Sequence, residues 1–337
     1  MRKLTSLFVL LLTVLFATSA FAAAGDLLVY APKSSKLVMG ANLGALKPSP
    51  LYRDMMTFVR SRPAFNEFLT FLEQDGGLNV DRDIDSLMVA MPEVSMTPNQ
   101  ASGQDTLSLA VRGKFDRTKL IAALTKRSPD HKVEGEGPTA RHLVGEFTLA
   151  FITDTDLVMT VGDPGFQAKT WTATQNKKES ALSNKAISAM SPKVNLTRGM
   201  WLIGLTDGLP QNGAKMNVAG LTVDLVSGLK VDIVGTMNSK EDVKKSLEDF
   251  ENLKKEASNP MVAMMGATPL VTNLKSSSKG LDIMVTTNMT ATELQNMVTM
   301  LKSSLAAGSQ PMAPNVPGDK QPTSTPAPTK GADADFN

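Results

Sequence analysis

Apolar residues along this chain recur with two periods. Leu221, Val223 and Leu225 alternate with Thr222 and Asp224, and Leu281, Ile283 and Val285 alternate about Asp282. A period of two predicts strands with one face toward a core and one toward water. Val243, Leu247, Phe250 and Leu253 recur instead at helical spacing, with Glu241/Lys245 and Glu251/Lys255 as outward pairs. Further strands are predicted at "KLVMGANL" (from Lys36), "DSLMVAMP" (from Asp85), "DTLSLAVRG" (from Asp105), "MWLIGLT" (from Met200) and "LKVDIVG" (from Leu229). Between His131 and Gly162 the runs "HKVEGEG", "ARHLVG", "FTLAFIT" and "DLVMTVG" read as hairpins. Helices are predicted after Ser49-Pro50, after Pro63, at "FDRTKLIAALTKR", after Asp163-Pro164, after Ser239 and after Thr290. The fold class is therefore α+β: two-layer, mostly antiparallel sheets with helices packed on one face.

One pattern echoes along the chain. "VRGKFDRTKL" from Val111, "VGTMNSKEDV" from Val234 and "VTTNMTATEL" from Val285 align without gaps. Each leaves a strand through valine, places Asp116, Ser239 or Thr290 as an N-cap, and then presents Leu120, Val243 or Leu294. Thr290 with Glu293 forms a capping box. Such a strand–cap–helix unit predicts internal duplication. The expected organisation is a signal peptide at 1–24, one α+β half at 25–175, a second at 176–305, and a disordered Pro/Thr/Ala-rich tail at 306–337.

The stretch from "LAVRGKFDRTKLIAAL" through "HKVEGEGPTARHLVGEFTLAFITDTDLVMTVGDPGFQAK" resembles extracytoplasmic bacterial proteins grouped as families of unknown function, with a looser match at "GLNVDRDIDSL". The likeness spans about residues 106–169 and rests on a Gly-x-Phe-Asp step, a meander and a Gly-Asp helix start. It implies a duplicated α+β fold outside the cytoplasm, and no activity.

The ends of the chain change the picture next. Arg2 and Lys3 precede the apolar run Leu7 to Phe16, and Ala20-Phe21-Ala22 and Ala22-Ala23-Ala24 each offer a small-x-small cleavage pattern. The run is too short for a membrane span. The mature chain is therefore expected without a transmembrane segment, in the periplasm or outside the cell. The absence of cysteine removes a lipoprotein anchor, disulfides and thiolate chemistry together. In a bacterial setting the sequons at Asn195 and Asn288 are chance matches. Without Arg2 and Lys3 the 35 basic residues become 33, against 33 acidic, and no basic stripe marks a nucleic-acid partner.

Few constellations carry chemistry. "DGGLNVDRDID" sets Asp81, Asp83 and Asp85 on alternate residues, as the first ligands of a calcium loop would be. Ser86 and Pro92 stand where that loop needs glycine and glutamate, so a helix ending at Gly76-Gly77 followed by a polar turn is the competing reading. His131 and His142, in adjacent hairpin strands with Glu134 and Glu136 between them, form the second metal or acid–base candidate. "SSSK" (Ser276 to Lys279) matches Ser-x-x-Lys without its companion motifs, and no nucleotide fingerprint occurs. Met261, Met264, Met265, Met297 and Met300 suit a core or an apolar cleft. No catalytic residue and no cofactor is assigned. The leading expectation is a non-enzymatic envelope protein, binding or structural, whose partner is an unknown protein or apolar ligand. The alternatives are a carrier of a lipid or peptide in a cleft between the halves, and an envelope hydrolase with an acidic site.

Overall fold

The structure, a computed structural model, describes residues 24–93, 106–128, 130–137, 139–206, 214–255, 262–263 and 266–308. All but the last residue of the expected signal peptide, all but the start of the expected tail, and Met261, Met264 and Met265 lie outside the described residues. All described strands join one twelve-stranded sheet, ordered β11-β12-β10-β9-β8-β1-β2-β3-β7-β6-β5-β4, and every neighbouring pair is antiparallel. The strands are β1 (Leu37–Asn42), β2 (Ile84–Met91), β3 (Leu107–Gly113), β4 (Lys132–Glu134), β5 (Arg141–Val144), β6 (Phe147–Phe151), β7 (Asp156–Val161), β8 (Met200–Leu205), β9 (Met216–Asp224), β10 (Gly228–Met237), β11 (Lys275–Lys279) and β12 (Asp282–Thr290).

Two wings meet where β1 pairs with β8. Outward from β1 the first wing runs β1-β2-β3, then β7; outward from β8 the second runs β8-β9-β10, then β12. In each wing a helix follows the third strand: α5 (Arg117–Arg127) after β3 and α8 (Lys240–Lys255) after β10. The echo therefore falls on equivalent places in the two wings, and its third copy is β12 with α10 (Ala291–Gly308). Each cap forms locally. Asp116 accepts from Lys119 N at 3.1 Å, Ser239 Oγ from Asp242 N at 3.1 Å, and Thr290 N donates to Glu293 at 2.7 Å. Leu120, Val243 and Leu294 are buried.

The remaining helices are α1 (Leu43–Leu46), α2 (Pro50–Arg60), α3 (Pro63–Gln74), α4 (Val80–Asp83), α6 (Pro164–Gln175), α7 (Lys185–Met190) and α9 (Thr268–Thr272). Tyr52, Met56 and Val59 of α2, with Phe65 and Leu69 of α3, pack on Leu87 and Val89 of β2 and Leu107 and Leu109 of β3. α5, α8 and α10 cover the same face farther out, through Leu120, Val243 and Leu294. This is the expected α+β arrangement of an antiparallel sheet with helices packed on a face. At the centre a further layer covers the opposite face. There Val38, Met88, Ala90, Ala110, Val158, Trp201 and Ile203 meet the 3-10 segment Ala24–Tyr30, called here the strap, with Trp171 of α6 and Ile187 and Met190 of α7. The physical reason lies in β1 to β3. Their runs "LVMGA", "SLMVA" and "LSLAV" put apolar or small residues at nearly every position, so both faces have to be covered. β12 keeps the alternating pattern, and on its other face Met284 is exposed.

The seam between the wings is tightly packed. Gly40 of β1 lies opposite Trp201 of β8, and a Cβ on Gly40 would sit 2.3 Å from the indole ring. Only a residue without a side chain admits that ring. Asn42, buried at the end of β1, donates through its amide to Leu196 O at 3.0 Å and Arg198 O at 2.5 Å, tying β1 to the approach to β8. The edges of the sheet are β4, three exposed residues long, and β11, which carries lysine at both ends. Short and charged edges of this kind discourage pairing with other chains.

Gly40→Ala should therefore overpack the seam and lower unfolding free energy by about 1–3 kcal/mol. Urea denaturation reads this directly, and a variant as stable as the parent would contradict the contact.

Candidate functional site

The strap, β3, β7 and α6 enclose the chief polar feature of the covered face. Register places Arg112 of β3 beside Asp156 of β7, and Ser86 of β2 on its other side. Asp156 follows a turn in which Thr153 Oγ1 accepts from the backbone N–H of Thr155 (3.2 Å) and Asp156 (3.0 Å), which fixes where β7 begins. Arg112 grips the carboxylate with two nitrogens, Nε to Oδ1 at 2.7 Å and Nη2 to Oδ2 at 2.9 Å. Tyr30, from the end of the strap, donates to Oδ2 at 2.8 Å, and Thr155 donates to Oδ1 at 3.3 Å. Asp26, also on the strap, meets Arg112 Nη1 at 3.4 Å. Asp156 is 3 % exposed, so this is a buried ion pair with its lone pairs well used.

Burial alone would push the Asp156 carboxyl up, but the bonds from Arg112 and Tyr30 outweigh it and leave it below the usual aspartate value. Its bond to Asp156 raises Arg112 further, and burial followed by the Asp156 bond raises Tyr30. All three thus stay in one protonation state over the ordinary pH range. The cluster is built to hold geometry rather than to move protons.

Beside it lies a cavity of about 500 Å³. The strap contributes Gly25, Asp26, Val29 and Tyr30; Arg112 and Ile152 come from the sheet side; Ala173 and Thr174 come from α6. Lys177 and Leu182 follow α6, so the lining crosses the expected boundary between 25–175 and 176–305. The lining mixes apolar Val29, Ile152 and Leu182 with charged Asp26, Arg112 and Lys177.

The predicted acidic triplet is used differently. α3 ends at Gln74, Gly77 adopts φ +67°, and Gly76 and Leu78 return their N–H groups to Phe71 O (3.1 Å) and Leu72 O (2.8 Å). The left-handed glycine closes the helix as the competing reading required. Asn79 caps α4, whose turn separates the three acids. Asp81 accepts from Tyr52 and from Arg60 (3.0 Å), while Asp83 accepts from Arg82 Nε (2.6 Å) and Asn79 N (2.8 Å). The bond from Arg82 first, then that from Asn79, leaves Asp83 below its usual value despite burial. Asp85 lies in β2. Asp81 and Asp83 thus serve different local bonds, and among the described residues no group of three or more metal-ligating side chains forms.

The histidines do meet. His131 Nε2 lies 3.0 Å from His142 Nδ1, with the rings inclined by 10°. Thr125 Oγ1 donates to Ile121 O at 2.9 Å, so it receives the Nδ1 proton of His131 at 2.8 Å. Neutral His131 then accepts from His142, and one added proton can reverse that bond without breaking it. Burial, and then the neighbouring His131, lowers the His142 pKa. Glu134 is engaged by Arg141 at 2.9 Å. Ser276 to Lys279 form part of edge strand β11. Met297 packs beside Leu46 and Leu294, whereas Met300 is exposed.

Tyr30, Arg112 and Asp156 escaped the sequence reading. The faint signal is a charge at one end of each of two largely apolar strands, in "LSLAVRG" and "TDTDLVMTV". Nothing local couples residues separated by 126 and 44 positions.

No family model matches this chain, and no curated protein matches it. Among solved structures it is similar to TP0453. Crystal form I shares 10 % identity at a TM-score of 0.43, covering 84 % of this chain and 98 % of that one. Form III shares 7 % at 0.41, over 83 % and 98 %. Form IV shares 7 % at 0.42, over 80 % and 96 %. Among the described residues no helix is long and apolar enough to cross a membrane.

Two outcomes follow for the cluster. Tyr30→Phe removes a bond to a charged group and should cost about 1.5–3 kcal/mol in urea unfolding. Because the folded pKa of Asp156 is depressed, its contribution is complete above the unfolded aspartate value, about 3.9, and is lost as pH falls through the folded value. Asp156→Asn should thus lower stability at neutral pH. It should also flatten the fall in urea midpoint between about pH 5 and about pH 2. Parallel pH profiles for the two proteins would count against a depressed Asp156.

Proposed function

We propose that this chain is an exported protein of the bacterial envelope, periplasmic or secreted, that acts by binding rather than catalysis. Its ligand site is the cavity under the strap. The observation that carries this reading is the mixed lining, which combines apolar Val29, Ile152 and Leu182 with charged Asp26, Arg112 and Lys177. Such a surface suits a small amphiphile, a short lipid or peptide with a polar end, because apolar area supplies affinity while a few fixed polar groups set orientation. Arg112 is already oriented by Asp156, so little side-chain freedom is lost when a ligand arrives.

Export is supported by the charged start, the apolar run and the small-residue pair of patterns before Gly25, and by the absence of cysteine. The resemblance of residues 106–169 to extracytoplasmic bacterial proteins points the same way. The repeated connectivity of the two wings supports an internal duplication.

Native mass spectrometry of protein isolated from its bacterial host tests the ligand reading. The expected result is a co-purifying small amphiphile that is lost in Leu182→Glu, a change at a partly exposed wall position that the fold should tolerate. A ligand-free protein that also fails to take up a fluorescent fatty-acyl probe would favour a purely structural role.

A further inference from the structure

A mixed lining admits several kinds of polar end, and the donors of Arg112 discriminate among them. A guanidinium carries five N–H groups. Asp156 takes two of them, one from Nε at 2.7 Å and one from Nη2 at 2.9 Å. The outer edge keeps both N–H groups of Nη1 and the second of Nη2, a fork suited to two further oxygens. Among the described residues its partner is Asp26, through a single Nη1 contact of 3.4 Å, longer than a good hydrogen bond. Asp26 itself lines the cavity, so that edge of Arg112 lies at the cavity rather than behind it.

The neighbouring groups point to the same choice. The hydroxyl protons of Tyr30 and Thr174 are committed, to Asp156 at 2.8 Å and to Trp171 O at 2.7 Å. Lys177 lines the cavity, and its ammonium makes no ion pair among the described residues. The side-chain protons on offer are therefore those of two cations. The lining carries one carboxylate, Asp26, which is 66 % exposed, whereas Arg112 is 21 % exposed. A charge held in solvent attracts a guest weakly, and a fixed, partly buried one attracts it more. An anion gains more here than a cation does.

We infer that the cavity selects amphiphiles whose polar end is an oxyanion, a carboxylate or a phosphate monoester, bound on the outer edge of Arg112, and that Asp26 competes for that edge. Lys177 adds a second cation from the same lining. Asp156 already matches the charge of Arg112, so the placing of donors selects the oxyanion rather than net charge. The guest takes Nη1 from Asp26, and Asp26 thereby limits how tightly the guest is held. This inference deepens the binding reading and rests on it.

Isothermal titration calorimetry near neutral pH tests it with octanoate, octyl phosphate, octanol and octylammonium, all below micelle formation. The tail is constant and only the end varies. One or both anions should bind at least about tenfold more tightly than the alcohol and the ammonium. The tighter of the two tells a carboxylate end from a phosphate end. Asp26 and Lys177 are both exposed, so their variants should fold. Lys177→Gln should weaken the preferred anion by about twofold to fivefold. Asp26→Asn should tighten it, and neither change should alter octanol binding. Equal binding of all the probes, a preference for the alcohol or the ammonium, or an anion indifferent to both substitutions would overturn the inference and leave an amphiphile site standing. If no probe binds, the binding reading fails and this inference with it.

Discussion

The pairing of β1 with β8 is the contact on which the molecule depends. Five residue pairs join the wings there, from Leu37 opposite Gly204 to Ala41 opposite Met200. Without it there would be two sheets, each ending in an unsatisfied apolar strand. The covered central face would divide as well, because its core takes Val38, Met88 and Ala110 from one wing and Trp201, Ile203 and Val218 from the other. Asn42 and Trp201 make the pairing specific. The indole fills the groove that Gly40 leaves open, and the asparagine amide binds the chain just before β8. A one-residue slip would turn Trp201 to the opposite face and lose both contacts.

Much of this architecture was legible in the sequence, and for identifiable reasons. Alternating strands such as β12 and capped helices such as α5, α6 and α10 carry their signals within a few residues. What escaped was structure imposed from a distance. "AGDLLVY" has too short a pattern to declare a helix, and it becomes the strap because the central sheet needs a lid. "KSSSK" has no apolar period; β12 makes it a strand by supplying hydrogen-bond partners. The candidate sites show the same division. Asp81, Asp83 and Asp85 alternate in sequence, but the turn of α4 places them differently in space. The meeting of His131 with His142 follows from a hairpin whose strands are close in sequence. The Tyr30–Arg112–Asp156 cluster needs three separate segments and was invisible to local reading.

Charge in this molecule mostly joins parts. Arg112 with Asp156 ties β3 to β7 and, through Tyr30, both to the strap. Lys193 reaches across to Asp282 at 2.7 Å, and Arg198 to Asp224, linking the segment before β8 to the second wing. The first of these is the most buried and carries the most hydrogen bonds, so it resists rearrangement most. It also borders the cavity. Under the proposed binding role, polar groups held this rigidly would present a preformed surface to a ligand.

The strap has a consequence for the order in which the chain can fold. It is the first described segment to be synthesised, yet its sites are made by residues that come much later. Ala24 needs Asn42, Asn42 needs Leu196, 154 positions on, and Tyr30 needs Asp156. Contacts of such long range form late, because loop closure has to precede them. Leu27 and Leu28, fully enclosed in the finished protein, therefore spend most of synthesis with nothing to cover them. The nascent chain carries an apolar leading end for as long as the rest remains incomplete.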